Sequence, residues 1–125
     1  MLNQRLDGRV AVVSVASTMA HVSLPHRAAY SASKFAVLGM TKALALELAP
    51  YKVTANAISP GPFATEINRV LMQDPLVLAE FNAKIPLGRW GKLEEIGALA
   101  VFLSSDASGF ITGTDIVIDG GWTAQ

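Results

Sequence analysis

The 125-residue sequence contains no cysteine, which excludes disulfides, cysteine-ligated zinc and a thiol nucleophile. That fits a reducing compartment, and a cytoplasmic location is expected. Charge is sparse: 16% of the residues are Asp, Glu, Lys or Arg, and the ten basic and ten acidic side chains cancel. The cations are scattered, so neither a nucleic-acid surface nor an acidic-lipid surface is expected. No segment reaches the roughly 18 uncharged apolar residues of a membrane span; Lys42 and Glu47 interrupt the longest apolar stretch. None of the ten glycines forms a Gly-x-Gly pair, a spacing with which a strand–turn–helix cradles a dinucleotide phosphate.

Apolar residues are abundant instead, at 51%. A chain of this size is one domain, and small domains bury a smaller share of their surface than large ones. The composition therefore suits part of a larger core or an oligomer. The N-terminal MLNQRLDGRVAVVSVAS loosely resembles a secretory leader, with a basic start and a short apolar run. Asp7 and Gly8 interrupt it, however, and the run is only strand-length, so a buried strand is the reading taken.

Arg9–Val15 (RVAVVSV) is continuous and rich in valine, as expected of a parallel strand covered on both faces. Residues 28–49 form a long helical stretch ended by Pro50. Its small residues Ala28, Ala32, Ala36, Gly39 and Ala43 recur at three- and four-residue steps, making a flat stripe that another helix could approach. Val53–Ser59 (VTANAIS) reads as a second strand, stopped by Pro60-Gly61-Pro62. Residues 63–92 read as a substrate lid whose short helical pieces are divided at Asp74-Pro75, an N-cap followed by proline in the first turn. Leu93–Ser104 is a helix with acidic residues at its positive end, and Asp115–Ile118 is a third strand closed by Gly120-Gly121. Strand–helix alternation at these lengths means βαβ units and a parallel sheet. Three strands make a thin sheet, with a strand edge exposed and long helices left without backing.

Tyr30 and Lys34 are four residues apart on the long helix, so they project from one face. An ammonium close to a phenol favours the phenolate, which suits acid/base work near neutral pH. Ser17, 13 residues before Tyr30, follows the first strand; strand C-termini in α/β sheets are where ligands bind. Taken alone, the pair reads rather as ordinary helix-surface residues, and Ser17 as a turn residue.

Further motifs decide the matter. Ser17, Tyr30 and Lys34 match the Ser and Tyr-x-x-x-Lys spacing of the short-chain dehydrogenase/reductase family, which the sequence resembles. Asn56–Thr65 (NAISPGPFAT) is similar to the family's Asn-Ala-x-x-Pro-Gly segment and following threonine. Ile85–Gly91 (IPLGRWG), Glu94–Ile96, Phe102–Ser108 (FLSSDAS), Ile111–Gly113 and Asp119–Trp122 (DGGW) complete the likeness, which covers nearly the whole chain. Ala20 departs from a common glycine and Leu93 from a common proline.

The resemblance implies an oxidoreductase that interconverts a secondary alcohol and a ketone with NAD or NADP. Tyr30 would be the general acid/base, Lys34 its activator and a hydrogen-bond donor to the nicotinamide ribose, and Ser17 the holder of the reacting oxygen. Pro60, Gly61 and the backbone near Phe63 would flank the nicotinamide, and Thr65 would reach its amide or a phosphate. The Ile85–Gly91 lid and the DGGWTA tail look most like members acting on sugar acids and polyols, such as gluconate dehydrogenases; a reductase of acyl-carrier ketones is the nearest competitor. His21 and His26 lie where the family lines its pocket but read as surface histidines, with no carboxylate cluster to make them metal ligands. Trp90 and Trp122 read as lid and interface packing, and Glu94 and Glu95 as helix-start charges.

The family's opening strand, Gly-rich turn and nucleotide-selecting residue have no counterpart here, and Met1-Leu2 resembles an internal point of the family. The chain thus resembles the C-terminal half of such an enzyme. The expected fold class is α/β: a partial Rossmann-like doubly wound parallel sheet holding the last three strands and their helices. Expected partners are a small alcohol or ketone, further copies of the chain through the small-residue stripe and the DIVI strand, or a complementing N-terminal half. A non-catalytic remnant that lacks the phosphate turn and is stable only with a partner chain stands as the alternative.

Overall fold

A computed structural model describes residues 9–125; the first eight residues of the leader-like stretch, and with them the Met1-Leu2 resemblance, lie outside the described residues, while its apolar run is a strand as expected. Three strands, β1 (Ala11–Val15), β2 (Thr54–Pro60) and β3 (Asp115–Ile118), pair in parallel in the order β1-β2-β3. Ala11 lies opposite Thr54, and Ala57 opposite Asp115. The helices are α1 (Ala28–Leu48), α2 (Arg69–Gln73), α3 (Pro75–Lys84) and α4 (Leu93–Ser104). This is the expected partial doubly wound α/β sheet.

β2 is the centre. Residues 55–59 are all buried, and α1 packs against this strand while α4 packs against β1 and β2. A strand covered in this way has to be apolar or internally satisfied. Its one amide side chain meets that demand: Asn56 Nδ2 donates to the Ile111 carbonyl at 2.9 Å, and its Oδ1 accepts from Thr114 N at 3.3 Å. Asn56 therefore ties β2 to the loop that launches β3.

The boundaries of α4 and β3 fall where the sequence places them. β1 starts two residues later than expected, its pairing with β2 beginning at Ala11 opposite Thr54, and the Arg9 guanidinium before it reaches Thr54 Oγ1 and Asp106. β2 is shifted by one and includes Pro60, whose missing N–H is harmless at the strand end because Gly61 N donates to the Ile118 carbonyl there. α1 stops one residue early and tightens into a 3-10 turn over Ala49–Tyr51, which Lys52 leaves in the left-handed conformation (φ 58°).

α1 buries Ser31, Thr41 and Ala45, with Val37 and Leu38 packed on the Ala16–Ala20–Ala57 core. The small-residue stripe of Ala28, Ala32, Ala36, Gly39 and Ala43 faces the other way and is exposed, as are Phe35 and Met40 beside it. A Cβ added at Gly39 would meet nothing within 4 Å.

The 63–92 segment is fastened at both ends and loose between them. Phe63 is buried beneath Gly91 and bridges it, with Ala64 N donating to the Gly91 carbonyl and Gly91 N to that of Pro62. Near the other end Ile85 is buried against Gly120, and Leu87 N donates to the Gly120 carbonyl. Between these anchors α2 and α3 bury no residue completely. Asp74 caps α3 as expected, its Oδ1 accepting from Leu76 N at 3.0 Å. No helix among the described residues is long and apolar enough to cross a membrane.

Candidate active site

Ser17 lies two residues beyond β1, where the chain leaves the sheet and coils into a 3-10 turn. It caps that turn: its Oγ accepts from Met19 N at 3.1 Å. The capping bond fixes the hydroxyl and leaves its proton free to donate. The residue is buried to all but 8% of its surface.

Tyr30 sits in the first turn of α1 and is 47% exposed. Lys34, one turn on, lies with its Nζ 5.7 Å from the Tyr30 ring centroid. The same Nζ donates to the Val15 carbonyl at 3.2 Å, at the end of β1. The lysine is thereby held between the helix and the strand terminus rather than ranging through solvent. Ser17 and Tyr30 face one cleft of about 330 Å³, with Gly61 and Pro62 on its wall. The cleft is otherwise mostly apolar, walled by Leu24, Leu71, Phe81, Trp90 and Trp122.

The other candidate residues are placed differently. Gly61 reaches the cleft and tolerates no side chain, since an added Cβ would lie 2.6 Å from Asp119 Cβ and 2.9 Å from its Cα. Pro60 is the last residue of β2, and Phe63 has its ring under Gly91; neither lines the cleft. The Phe63 carbonyl is occupied by Thr65 N at 2.8 Å and Asn68 Nδ2 at 3.0 Å. Thr65 opens a 3-10 turn without using its side chain to cap it.

At three places the structure adds to the reading from sequence. Trp90 and Trp122, read as lid and interface packing, both line the cleft, and Phe81 lies between them, with centroids 5.5 and 6.0 Å away. Periodicity could not show this, because the three aromatics come from three segments brought together only by the fastened loop. His21 is not an ordinary surface histidine. Its Nε2 contacts Asp115 Oδ2, and the buried Ser59 hydroxyl lies 2.9 and 2.8 Å from the two oxygens of the same carboxylate. That trio faces the β3 side of α1 and is not part of the Ser17 cleft. Arg27, three residues before Tyr30, also lines the cleft and drew no notice in the sequence. The signal available was its spacing from Tyr30.

Two carboxylates near the cleft are structural. Glu95 accepts from Arg89 at 2.6 and 3.0 Å and from Lys92 N at 2.8 Å, and these donors hold its pKa down at about 2. This fits the helix-start reading of Glu95. Burial works against the Asp119 carboxylate, but bonds from Thr123 and from Gly121 N outweigh it and keep its pKa below the usual range.

Known proteins share this sequence and fold. A family model described as enoyl-(acyl carrier protein) reductase matches residues 1–123. D-threitol dehydrogenase of Mycolicibacterium smegmatis is 45% identical over 94% of this chain and 45% of its own length. A solved gluconate 5-dehydrogenase from Burkholderia cenocepacia, in complex with NADP and tartrate, superposes with a TM-score of 0.86 at 36% identity, covering 92% of this chain and 45% of that one. A 4-hydroxyisoleucine dehydrogenase complexed with NADH gives a TM-score of 0.89 at 37% identity, over 92% and 47%. The chain spans about half the length of the curated relatives it matches. On the sequence match and the shared fold together, the chain belongs to the short-chain dehydrogenase/reductase family.

Proposed function

We propose that this chain carries the alcohol-reacting half of an NAD(P)-dependent dehydrogenase that interconverts a secondary alcohol and a ketone, on a sugar acid or polyol. The observation that supports it is the convergence of the Ser17 hydroxyl and the Tyr30 phenol on one cleft, with the Lys34 ammonium held beside the phenol.

Ser17 donates its free proton to the substrate oxygen. Tyr30 takes the hydroxyl proton of an alcohol, or gives its own to a ketone oxygen in reverse. The Lys34 cation stabilises the negative charge that develops on the phenol oxygen during that transfer. The apolar wall excludes water and so strengthens each of these interactions.

The donors here fit the nicotinamide–ribose end of the cofactor. Lys34 has further N–H groups beyond the one bound to Val15 O, Thr65 keeps its hydroxyl out of the local turn, and Gly61 leaves the cleft wall bare. Lys34 and Tyr30 would hold the ribose, Pro60, Gly61 and the Phe63 backbone would flank the ring, and Thr65 would take its amide or a phosphate. The bound nucleotide supplies or accepts the hydride. The loosely packed α2–α3 segment, anchored at Phe63 and Ile85, serves as the lid over the substrate.

A homo-oligomer and a cytoplasmic setting belong to the same reading. The exposed stripe of α1, with Phe35 and Met40, is the surface for another copy, and the β3 edge is a second; a complementing chain bearing the phosphate turn is the other partner considered. A non-catalytic remnant, stable only with a partner chain, is the alternative reading. Titration of the purified chain with NADH and NADPH separates the two. Micromolar binding without an added partner supports the enzyme; no binding together with aggregation supports the remnant.

A further inference from the structure

Among the residues that line the Ser17–Tyr30 cleft, Arg27 is the only one with a charged side chain. It forms no ion pair and no side-chain hydrogen bond among the described residues, although Arg9, Arg69 and Arg89 each hold a carboxylate. α1 begins without a side-chain cap and without an acidic residue in its first turn. Arg27 is exposed, so the cleft carries at its rim a guanidinium that no carboxylate among the described residues pairs, in addition to the Lys34 ammonium beside Tyr30.

A second feature points to an acceptor-rich ligand. Trp90 is in the wall of the same cleft, and its indole Nε1 is buried and has no acceptor among the described residues. A buried donor left unmade costs free energy that a ligand oxygen can recover.

We infer that the cleft selects an anionic substrate, a hydroxy acid of several carbons, and that Arg27 binds its carboxylate. This rests on reading Ser17 and Tyr30 as the reacting end. Arg27 and Tyr30 stand three residues apart, neighbours along the start of α1. One ligand can then place a carboxylate on the guanidinium and a hydroxyl at the Ser17–Tyr30 pair, with a short carbon chain between them. Arginine suits the task because its planar fork matches a carboxylate with two parallel bonds. A neutral polyol of the same length lacks that anchor.

The test is a titration of the isotope-labelled 125-residue chain with D-gluconate and, separately, with D-glucitol, at low and high salt. Arg27→Gln and Arg27→Lys are compared after their amide spectra are shown to overlay the native one. Gluconate is expected to shift the Arg27 Nε–H and Trp90 indole resonances, more weakly at high salt. Its affinity should fall about tenfold or more in Arg27→Gln and recover in part in Arg27→Lys. Glucitol should bind more weakly and be indifferent to both variants. Equal affinity for the two ligands, no gluconate binding, or gluconate binding unchanged in Arg27→Gln would overturn the inference. Turnover with NAD⁺ or NADP⁺ reads the catalytic proposal separately: binding that depends on Arg27 without turnover sinks the catalysis and leaves the anion site standing.

Discussion

Lys34 reaches across from α1 to the last residue of β1, its Nζ donating to the Val15 carbonyl at 3.2 Å. The bond links the helix that carries the phenol to the strand that delivers Ser17, so one side chain sets the distance between two functional groups. Its energetic and chemical weights differ. As a partly exposed hydrogen bond it contributes about 0.5–1.5 kcal/mol to stability, whereas losing a charge partner of an acid/base group costs about 10²–10⁴ in rate. Lys34→Met should therefore lower the melting temperature only slightly and turnover by orders of magnitude. Melting curves and kcat measured on the same preparation check this; parallel small losses in both would make the lysine a tether alone.

Gly61 and Gly97 offer a matched pair. A Cβ at Gly61 collides with the Asp119 backbone at 2.9 Å, while one at Gly97, inside α4, meets nothing within 4 Å. Gly61→Ala should destabilise by about 1–3 kcal/mol through overpacking. Gly97→Ala should stabilise by about 0.5–1 kcal/mol by removing helix-interior glycine. Urea midpoints at constant slope distinguish the signs, and a neutral Gly61→Ala would mean that β3 yields easily at Asp119.

The Arg89–Glu95 pair makes stability depend on acid. Glu95 has its pKa lowered from 4.5 to about 2. A depressed carboxylate contributes stability that is full above its unfolded pKa and is lost as pH falls towards the folded value. The melting-temperature gap between the native chain and Glu95→Gln should hold from pH 7 to about 5, shrink between about 4.5 and 2, and narrow at high salt because the pair is exposed. A gap independent of pH would show that the carboxylate charge is irrelevant.

His21 and Asp115 join the Ser17-to-Tyr30 loop to β3. The Asp115 side chain is only 12% exposed, and removing a partner from a buried charge costs more than an exposed bond supplies. His21→Leu should destabilise by about 1–3 kcal/mol, with His21→Gln recovering part of it. Thermal denaturation of the two variants tests this, and indifference to His21→Leu would leave Asp115 satisfied by Ser59 alone.

Much of the scaffold was legible because each element carried its own local signal. Asp74-Pro75 announced α3, the glutamates announced α4, and the valines of β1 announced a covered strand. The site was legible only where motif spacing lies along one chain segment, as with Ser17, Tyr30 and Lys34. Phe81 drew no notice, and Trp90 and Trp122 read only as packing, because the wall the three build exists only after Phe63 and Ile85 fasten the intervening segment to the sheet. Arg27 escaped for a related reason: an arginine at a helix start looks like solvated charge until the cleft around it is seen to hold no counter-charge. The stripe on α1 was read correctly as flat, and the structure adds that it points outwards.

The central claim is that the Tyr30 hydroxyl moves the substrate proton. Tyr30→Phe deletes one oxygen and keeps the ring, so kcat with NAD⁺ or NADP⁺ in a preparation that turns over the native chain isolates that atom. Loss of turnover by at least about 10²-fold, with melting temperature unchanged and nucleotide affinity lowered by no more than the about tenfold that one ribose hydrogen bond is worth, is the result expected. Turnover near the native rate would contradict the claim outright.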